Sequence, residues 1–405
     1  MAANPTIQLG TDGNWAIKED NLLAYKKDGD RFFNKEFDFT RGSVATYVDK
    51  DGLIETVGVD EPRIDFLNNT KGHLLLEPSR QNIITYSEFD SASPTNWQTG
   101  FGTGTFSYDL VSYKSRPALK QRQQTEGRSH KQQNVTVSTS TTYTLSFYID
   151  KENSINIDDN DRVCSIITSD NIGFTSKNYG DADENNRINF TFTTNTDTSI
   201  QIRIGLGSAG NVQGDKTLIF SMPQLEQGSY ATSYIPTQGS TVTRSAESCY
   251  QDNLLTDIIN ASYPFTMYAE AKAVLDSTQD YLTFGNRNVS NLYFALVLNS
   301  DGTVFFAARA NGVVESINSS ATAITNGNFF KAAVTMESAT SGKISVNGVL
   351  DSKTNFTQQA INSNINDLLV GMLRTVSDTG RRMPIKDVKL YNTALTDAEL
   401  IALTS

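Results

Sequence analysis

The sequence predicts an all-β protein: two β-sandwich (jelly-roll) domains in tandem, with a small N-terminal arm and one short C-terminal helix. Three observations predict it. Short runs that alternate apolar and polar residues dominate, which is the period of a half-buried strand. Gly, Asn, Asp and Ser turns separate those runs at short intervals, as in sandwiches. A chain of 405 residues also exceeds what one ordinary core accommodates.

Residues 1–40 contain Trp15, the mixed stretch NLLAYKKDGDRFF and an Asp28–Gly29 turn, and carry too few apolar residues for a core of their own. They read as an arm that docks to other proteins. Residues 41–81 form a small β module, with strands around Val44–Val48 and Leu53–Val57 joined at Asp49-Lys50-Asp51-Gly52, then LLLEPS as a strand stopped by Pro78. Residues 82–236 read as the first sandwich. In TYTLSFYI, Tyr143, Leu145, Phe147 and Ile149 share a face, and Ile188, Phe190 and Phe192 do so in RINFTFTT. Residues 237–246, rich in hydroxyls and glycine, read as a linker. Residues 247–405 form the second sandwich, from FTMYAEAKAV to IKDVKLY, with turns at Ser300-Asp301-Gly302 and Asn347-Gly348. Thr396 followed by Glu399 is a capping box that starts the terminal helix.

The net charge of −11 argues against nucleic acid, which needs a dense basic face. The only cysteines, Cys164 and Cys249, fall in different domains, so two reduced thiols are expected rather than a disulfide framework. The N-terminus lacks the basic and apolar regions of a signal peptide, and no run approaches the ~18 apolar residues of a membrane span. With only His73 and His130, histidine-based catalysis and metal sites are nearly removed. His130, in EGRSHKQQN, reads as a surface histidine, and His73 stands where an apolar or small residue is expected.

Two segments carry a family resemblance: FDFTRGSVATYVDKDGLIETVGVDEPRIDF with GHLLLEPSRQNIITYSEF, and PQLEQGSYATSYIPTQGSTVTRSAE. They resemble a recurring cassette of bacteriophage tail and virion-surface proteins. FFKAAVTME, KISVNGVL, LLVGML and the finish IKDVKLYNTALTDAELIAL are similar to the end of a concanavalin A-like (laminin G-like) lectin domain. The middle domain resembles the carbohydrate-binding-module jelly roll of the same phage proteins. The resemblance implies a virion protein made in the host cytoplasm, docked to other virion proteins through the N-terminal arm, and assembled as a homo-oligomer with a trimer favoured. It implies a host surface polysaccharide as partner and no membrane insertion.

Candidate ligand residues follow from what sugars require. Trp97, Tyr108 and Tyr113 lie in a Gly/Ser/Thr-rich stretch that could offer stacking rings, although a tryptophan there ordinarily plugs a sandwich core. Arg116 belongs to a basic stretch (Lys114, Arg116, Lys120, Arg122, Arg128, Lys131) that suits anionic groups or simply faces water. Asn286, Arg309 and Asn311 lie near turns of the second sandwich. Asp158, Asp159 and Asp161, and Asp181 with Asp183, are candidate ligands of a structural calcium, without the EF-hand pattern; no other cofactor is expected. No strand motif pairs carboxylates for hydrolysis, so the chain is expected not to be an enzyme. Three functions stay open: a fibre or spike protein that binds host glycan, a purely structural decoration or connector, and a polysaccharide depolymerase.

Overall fold

The computed structural model describes residues 4–18, 21–28, 31–168, 175–208, 210–254, 263–275, 279–286, 289–310, 313–356, 366–371 and 382–405. Strands dominate, and the one α-helix among these residues is Asp397–Thr404. That helix begins as its sequence requires: Thr396 Oγ1 accepts from the Glu399 amide, and Glu399 Oε2 accepts from the Thr396 amide at 2.9 Å. No helix among the described residues is long and apolar enough to cross a membrane.

The chain divides into two units. The first comprises residues 1–50, 56–79 and 245–405 and is a sandwich. One of its sheets runs 349–353, 341–346, 329–338, 265–272, 385–391, 7–9, 21–28 and 31–40 in spatial order. The other runs 31–40, 248–251, 367–370, 279–286, 289–298, 304–310 and 313–318. The long strand Arg31–Thr40 belongs to both, pairing Phe37 with Leu22 in one sheet and Thr40 with Ser248 in the other. Ile7, Leu22, Phe37, Leu282, Phe306, Val334 and Val388 lie between the layers in one core.

The first forty residues are therefore not a free docking arm. Their sparse apolar side chains are too few for a separate core, and Ile7, Leu9, Leu22, Phe37 and Phe39 join the core of the C-terminal sandwich instead. LLLEPS also differs: only its first residue, Leu74, lies in a strand, His73–Leu74, and Leu75 to Ser79 pair in no ladder among the described residues. His73 is accommodated by losing its charge. Burial, then nearby Lys272, pushes its pKa down to about 3, and the neutral ring packs edge-on against Phe329.

Arg41, Arg63, Glu77 and Glu247, all cassette residues, converge inside this unit. Glu247 Oε1 accepts from Arg41 Nη1 at 3.0 Å and Arg63 Nε at 2.7 Å. Its Oε2 accepts from Arg63 Nη2 at 2.6 Å and the Glu77 amide at 2.8 Å. Arg63 also reaches Glu77 Oε2 at 3.0 Å, and Arg382 Nε donates to the Glu247 carbonyl. The Arg41, Arg63 and Glu247 side chains are 0% exposed. Burial alone lowers the Arg63 pKa, but the facing carboxylates outweigh it and hold the guanidinium charged.

The second unit, residues 51–55 and 80–244, is two five-stranded antiparallel sheets. One runs 106–113, 116–123, 216–227, 142–149 and 187–193; the other runs 98–101, 129–136, 199–204, 162–168 and 175–178. Leu145, Phe147, Ile188, Ile202, Leu218 and Phe220 fill the space between them. The expected linker is built into this unit. Val242–Arg244 pairs with Arg80–Asn82, Thr237 Oγ1 donates to the Ile84 carbonyl at 2.6 Å, and the Tyr234 hydroxyl meets Ser87 Oγ at 2.8 Å. The buried Thr237 hydroxyl satisfies backbone and Ser87 Oγ, while Ser240, Thr241 and Thr243 stay exposed.

Candidate functional site

The strand Ser199–Ile204, SIQIRI, is a strict alternation: Ile200, Ile202 and Ile204 are buried, while Ser199, Gln201 and Arg203 take the other face. The neighbouring strand Ser129–Thr136 registers Asn134 against Gln201 and Gln132 against Arg203. Beyond it, Gln98 registers against Gln132 and Gly100 against His130. Cross-strand partners share a face, so the outward side of this sheet is a field of amides.

Thr85, Asn96, Gln98, Gln132, Asn134 and Gln201 line a groove of about 250 Å³ there. Two hydrogen-bond relays order it. Arg203 Nε donates to Gln201 Oε1 at 2.7 Å, and Gln201 Nε2 donates to Asn134 Oδ1 at 3.2 Å. In the second, His130 Nε2 meets Gln132 Oε1 at 3.1 Å, and Gln132 Nε2 donates to Gln98 Oε1 at 3.5 Å. Each relay fixes an amide carbonyl and leaves N–H groups for a ligand. Gly100 makes room, since a Cβ there would overlap the His130 ring and Gln132 Oε1.

His130 is thus not a surface histidine; it is 4% exposed, and burial, followed by repulsion from Arg203 and Arg128, pushes its pKa down to about 4. It is neutral at pH 7. The groove escapes sequence reading because SHKQQNVT looks like a solvated polar run. The available signal was register: SIQIRI and KQQNVT both alternate, and placed side by side they stack glutamine on asparagine.

The residues singled out from sequence do not converge. Trp97 is core: it is 5% exposed, its Nε1 donates to the Tyr86 carbonyl at 2.7 Å, and it packs edge-on against Phe89. Burial of the largest apolar surface outweighs exposing a ring to ligand. Tyr108 packs on the same core with its hydroxyl toward Ser129, and burial raises its pKa. Tyr113 is half-buried and accepts from Asn186 Nδ2 at 3.4 Å. Arg116 is engaged locally, donating from Nε to the Ile54 carbonyl at 3.0 Å and facing Glu88 at 3.7 Å. Arg309 lies in the other unit, opposite Tyr293 and Val314, and its Nε is buried without a hydrogen-bond partner among the described residues. Asn286 is described only as the last residue of strand Gln279–Asn286, and Asn311 lies outside the described residues.

The expected calcium ligands are turn fasteners. Asp158 and Asp161 hold the Lys216 ammonium at 2.7 and 2.5 Å, so a lysine occupies the place of a cation. Burial pulls that lysine's pKa down, but the two carboxylates hold it above its ordinary value. Asp159 contributes its backbone carbonyl to the Gly180 amide. Asp181 Oδ2 accepts from the Asn178 amide at 2.8 Å, and Asp183 Oδ1 accepts from the Asn185 and Arg187 amides, both at 2.9 Å. Among the described residues no group of three or more acidic, histidine or cysteine side chains is placed to hold a metal. Excess EDTA is expected to leave the melting temperature unchanged in a thermal scan.

Lys131 shows how this sandwich treats a charge on its inner side. It is 1% exposed, donates to Thr99 Oγ1 at 2.9 Å and lies 4.3 Å over the Tyr108 ring. Burial pushes its pKa down to about 8 from an ordinary 10.5. A depressed lysine binds its proton more weakly folded than unfolded, so stability is lowered below pH 8 and recovers between pH 8 and 10.5. Lys131→Met is expected to stabilise the protein at pH 7 by about 1–2 kcal/mol and to remove that alkaline gain, read by urea unfolding at pH 7 and pH 10.

Comparison with known proteins fixes the class of fold first. Residues 250–401 match the family described as the concanavalin A-like lectin/glucanases superfamily, so the C-terminal sandwich has a lectin-like fold. No curated protein matches the chain. Among solved structures, the carbohydrate-binding module (CBM40) of the Ruminococcus gnavus IT-sialidase, bound to α2,3-sialyllactose, is similar at 18% identity and TM-score 0.33, over 38% of this chain and 91% of that one. The NanB sialidase of Streptococcus pneumoniae is similar at 17% identity and TM-score 0.32, over 38% of this chain and 26% of that one. A heptameric SAP-like pentraxin from Limulus polyphemus gives 14% identity and TM-score 0.30, over 36% and 70%. Likeness at this level says nothing about the ligand of this chain.

Proposed function

We propose that this protein is a non-catalytic, glycan-recognising component of a bacteriophage virion, of fibre or spike type, that engages a host-surface polysaccharide through its middle sandwich. The observation that carries the reading is the ordered amide groove on the sheet of strands 98–101, 129–136 and 199–204. Amides present donors and acceptors at fixed spacing, which suits the paired hydroxyls of a pyranose. They cannot protonate a glycosidic oxygen, and among the described residues no carboxylate lines the groove, so binding is favoured over cleavage there. A lectin-like fold in the C-terminal sandwich agrees with carbohydrate recognition.

The particle is supported by the two cassette segments that resemble phage virion-surface proteins. Their residues serve architecture, through the Glu247 cluster in one unit and the Asn82, Ser87 and Tyr234 network in the other. Docking to the particle then uses the outer face of a built-in N-terminal segment or another surface of the chain, and a homotrimer is the assembly such an appendage uses. Purified virions probed with an antibody to this chain, and adsorption challenged with the free protein, test the reading. Labelled particles and blocked adsorption are expected. Labelled particles with unimpaired adsorption would favour a purely structural decoration.

A further inference from the structure

We propose that the amide groove selects an anionic, carboxylate-bearing polysaccharide, with Arg203 as its charged anchor and Arg128 beside it. The inference rests on the glycan reading above and narrows its ligand class.

The chain holds 45 acidic against 34 basic side chains, yet the described strand positions of this face carry none of that excess. Its outward positions by register are Gln98, Gln132, Asn134, Gln201 and Arg203, flanked by Thr136, Ser165 and Ser199. No carboxylate stands among them. Neither Arg203 nor Arg128 forms an ion pair with any described residue. The two guanidiniums are close enough that Arg128 depresses the pKa of Arg203, after the larger effect of burial. Like charges set together without a counter-ion are costly unless something else neutralises them.

The relays point the same way. Arg203 gives one N–H, from Nε, to Gln201, which leaves both Nη groups without a partner among the described residues. Gln201 accepts from Arg203 at its carbonyl and gives one amide N–H to Asn134, so its second amide N–H remains as a donor. Gln132 is held in the same sense between His130 and Gln98. Four of its amide oxygens already accept one hydrogen bond each, while the Arg203 Nη groups and the amide N–H groups outside the relays add further donors, so the groove is weighted toward donors and is matched to a ligand rich in acceptors. A carboxylate accepts a guanidinium in bidentate fashion and its remaining lone pairs take amide N–H groups. Arg128 lies across Gly102 and Gly207, where a Cβ at either position would overlap its side chain, so it is held at the edge of this sheet.

The experiment titrates the purified full chain, by calorimetry, with polygalacturonate, alginate and hyaluronate oligomers, each paired with its carboxyl-reduced form, alongside a panel of neutral glucans, mannans and galactans. At least one acidic polymer is expected to bind ten-fold or more tightly than its reduced form, and to weaken several-fold when salt rises from 50 to 500 mM. Arg203→Gln is expected to remove most of that preference, and Arg128→Gln part of it, with unchanged melting temperature and circular dichroism. Equal binding of an acidic polymer and its reduced form overturns the anionic preference and leaves the glycan reading standing, as does binding confined to neutral glycans. Binding of no polymer in either set overturns both. Full retention of the preference in the Arg203→Gln/Arg128→Gln double variant overturns the assignment of these residues.

Discussion

Glu247→Ala is expected to destabilise the C-terminal sandwich by about 3–5 kcal/mol, a large share of the ~5–15 kcal/mol that holds an ordinary domain folded. The alanine removes one carboxylate that accepts four hydrogen bonds, from Arg41, twice from Arg63, and from the Glu77 amide. The cost is not the value of the pair itself, which desolvation largely offsets. It arises because two guanidiniums stay behind in a dry interior, one of them left with Glu77 as its remaining carboxylate. Glu247→Gln keeps the shape and loses the charge, and is expected to fall between. Asp109→Ala, on an exposed strand position, is expected to change stability by less than about 0.5 kcal/mol. Urea unfolding monitored by tryptophan fluorescence and circular dichroism gives the comparison. A Glu247→Ala midpoint indistinguishable from that of Asp109→Ala would show that the cluster does not hold the sandwich together.

The second large effect concerns binding. Gln201→Ala with Asn134→Ala removes the centre of the amide groove and the partner that orients the Arg203 guanidinium. Each lost hydrogen bond to a ligand is worth about 0.5–1.5 kcal/mol, and more where a charge is involved. The double variant is therefore expected to bind polysaccharide about 10–100-fold more weakly. Both residues are on the solvent side of their strands, so the fold should survive. Thr136→Ala, on the same face but outside the groove lining, is the matched control.

Much of the fold was legible because alternation is local. TYTLSFYI, RINFTFTT, SIQIRI and IKDVKLY are strands where the pattern puts them, and the Thr396–Glu399 box starts the terminal helix. What local pattern cannot show is the partner. Ile7 pairs with Leu390 and Phe39 with Cys249, separations over which no periodicity carries information, so the opening strands looked like a detached arm. The hydroxyl-rich stretch after Tyr234 looked like a linker for a related reason: hydroxyls that satisfy buried backbone are indistinguishable in sequence from hydroxyls that face water.

The site was less legible than the fold. Sugar-binding chemistry named aromatic rings as candidates while a core place was the ordinary expectation for Trp97, and the structure keeps Trp97 in the core and offers amides instead. Loop acids suggested calcium, yet Lys216 and nearby backbone N–H groups already satisfy Asp158, Asp161, Asp181 and Asp183. Arg41, Arg63, Glu77 and Glu247 were visible as parts of a recurring cassette, but their convergence on one buried carboxylate joins segments up to about two hundred residues apart. A motif marks where such residues stand, and only the fold shows that they neutralise one another.

The most direct test of the central claim is the affinity of the purified chain for host envelope polysaccharide, measured side by side for the native protein, Gln201→Ala/Asn134→Ala and Thr136→Ala. Binding by the native protein and by Thr136→Ala, with a loss of ten-fold or more in the double variant, is the predicted result. Equal affinity of all three proteins would contradict the account and move recognition away from the amide groove.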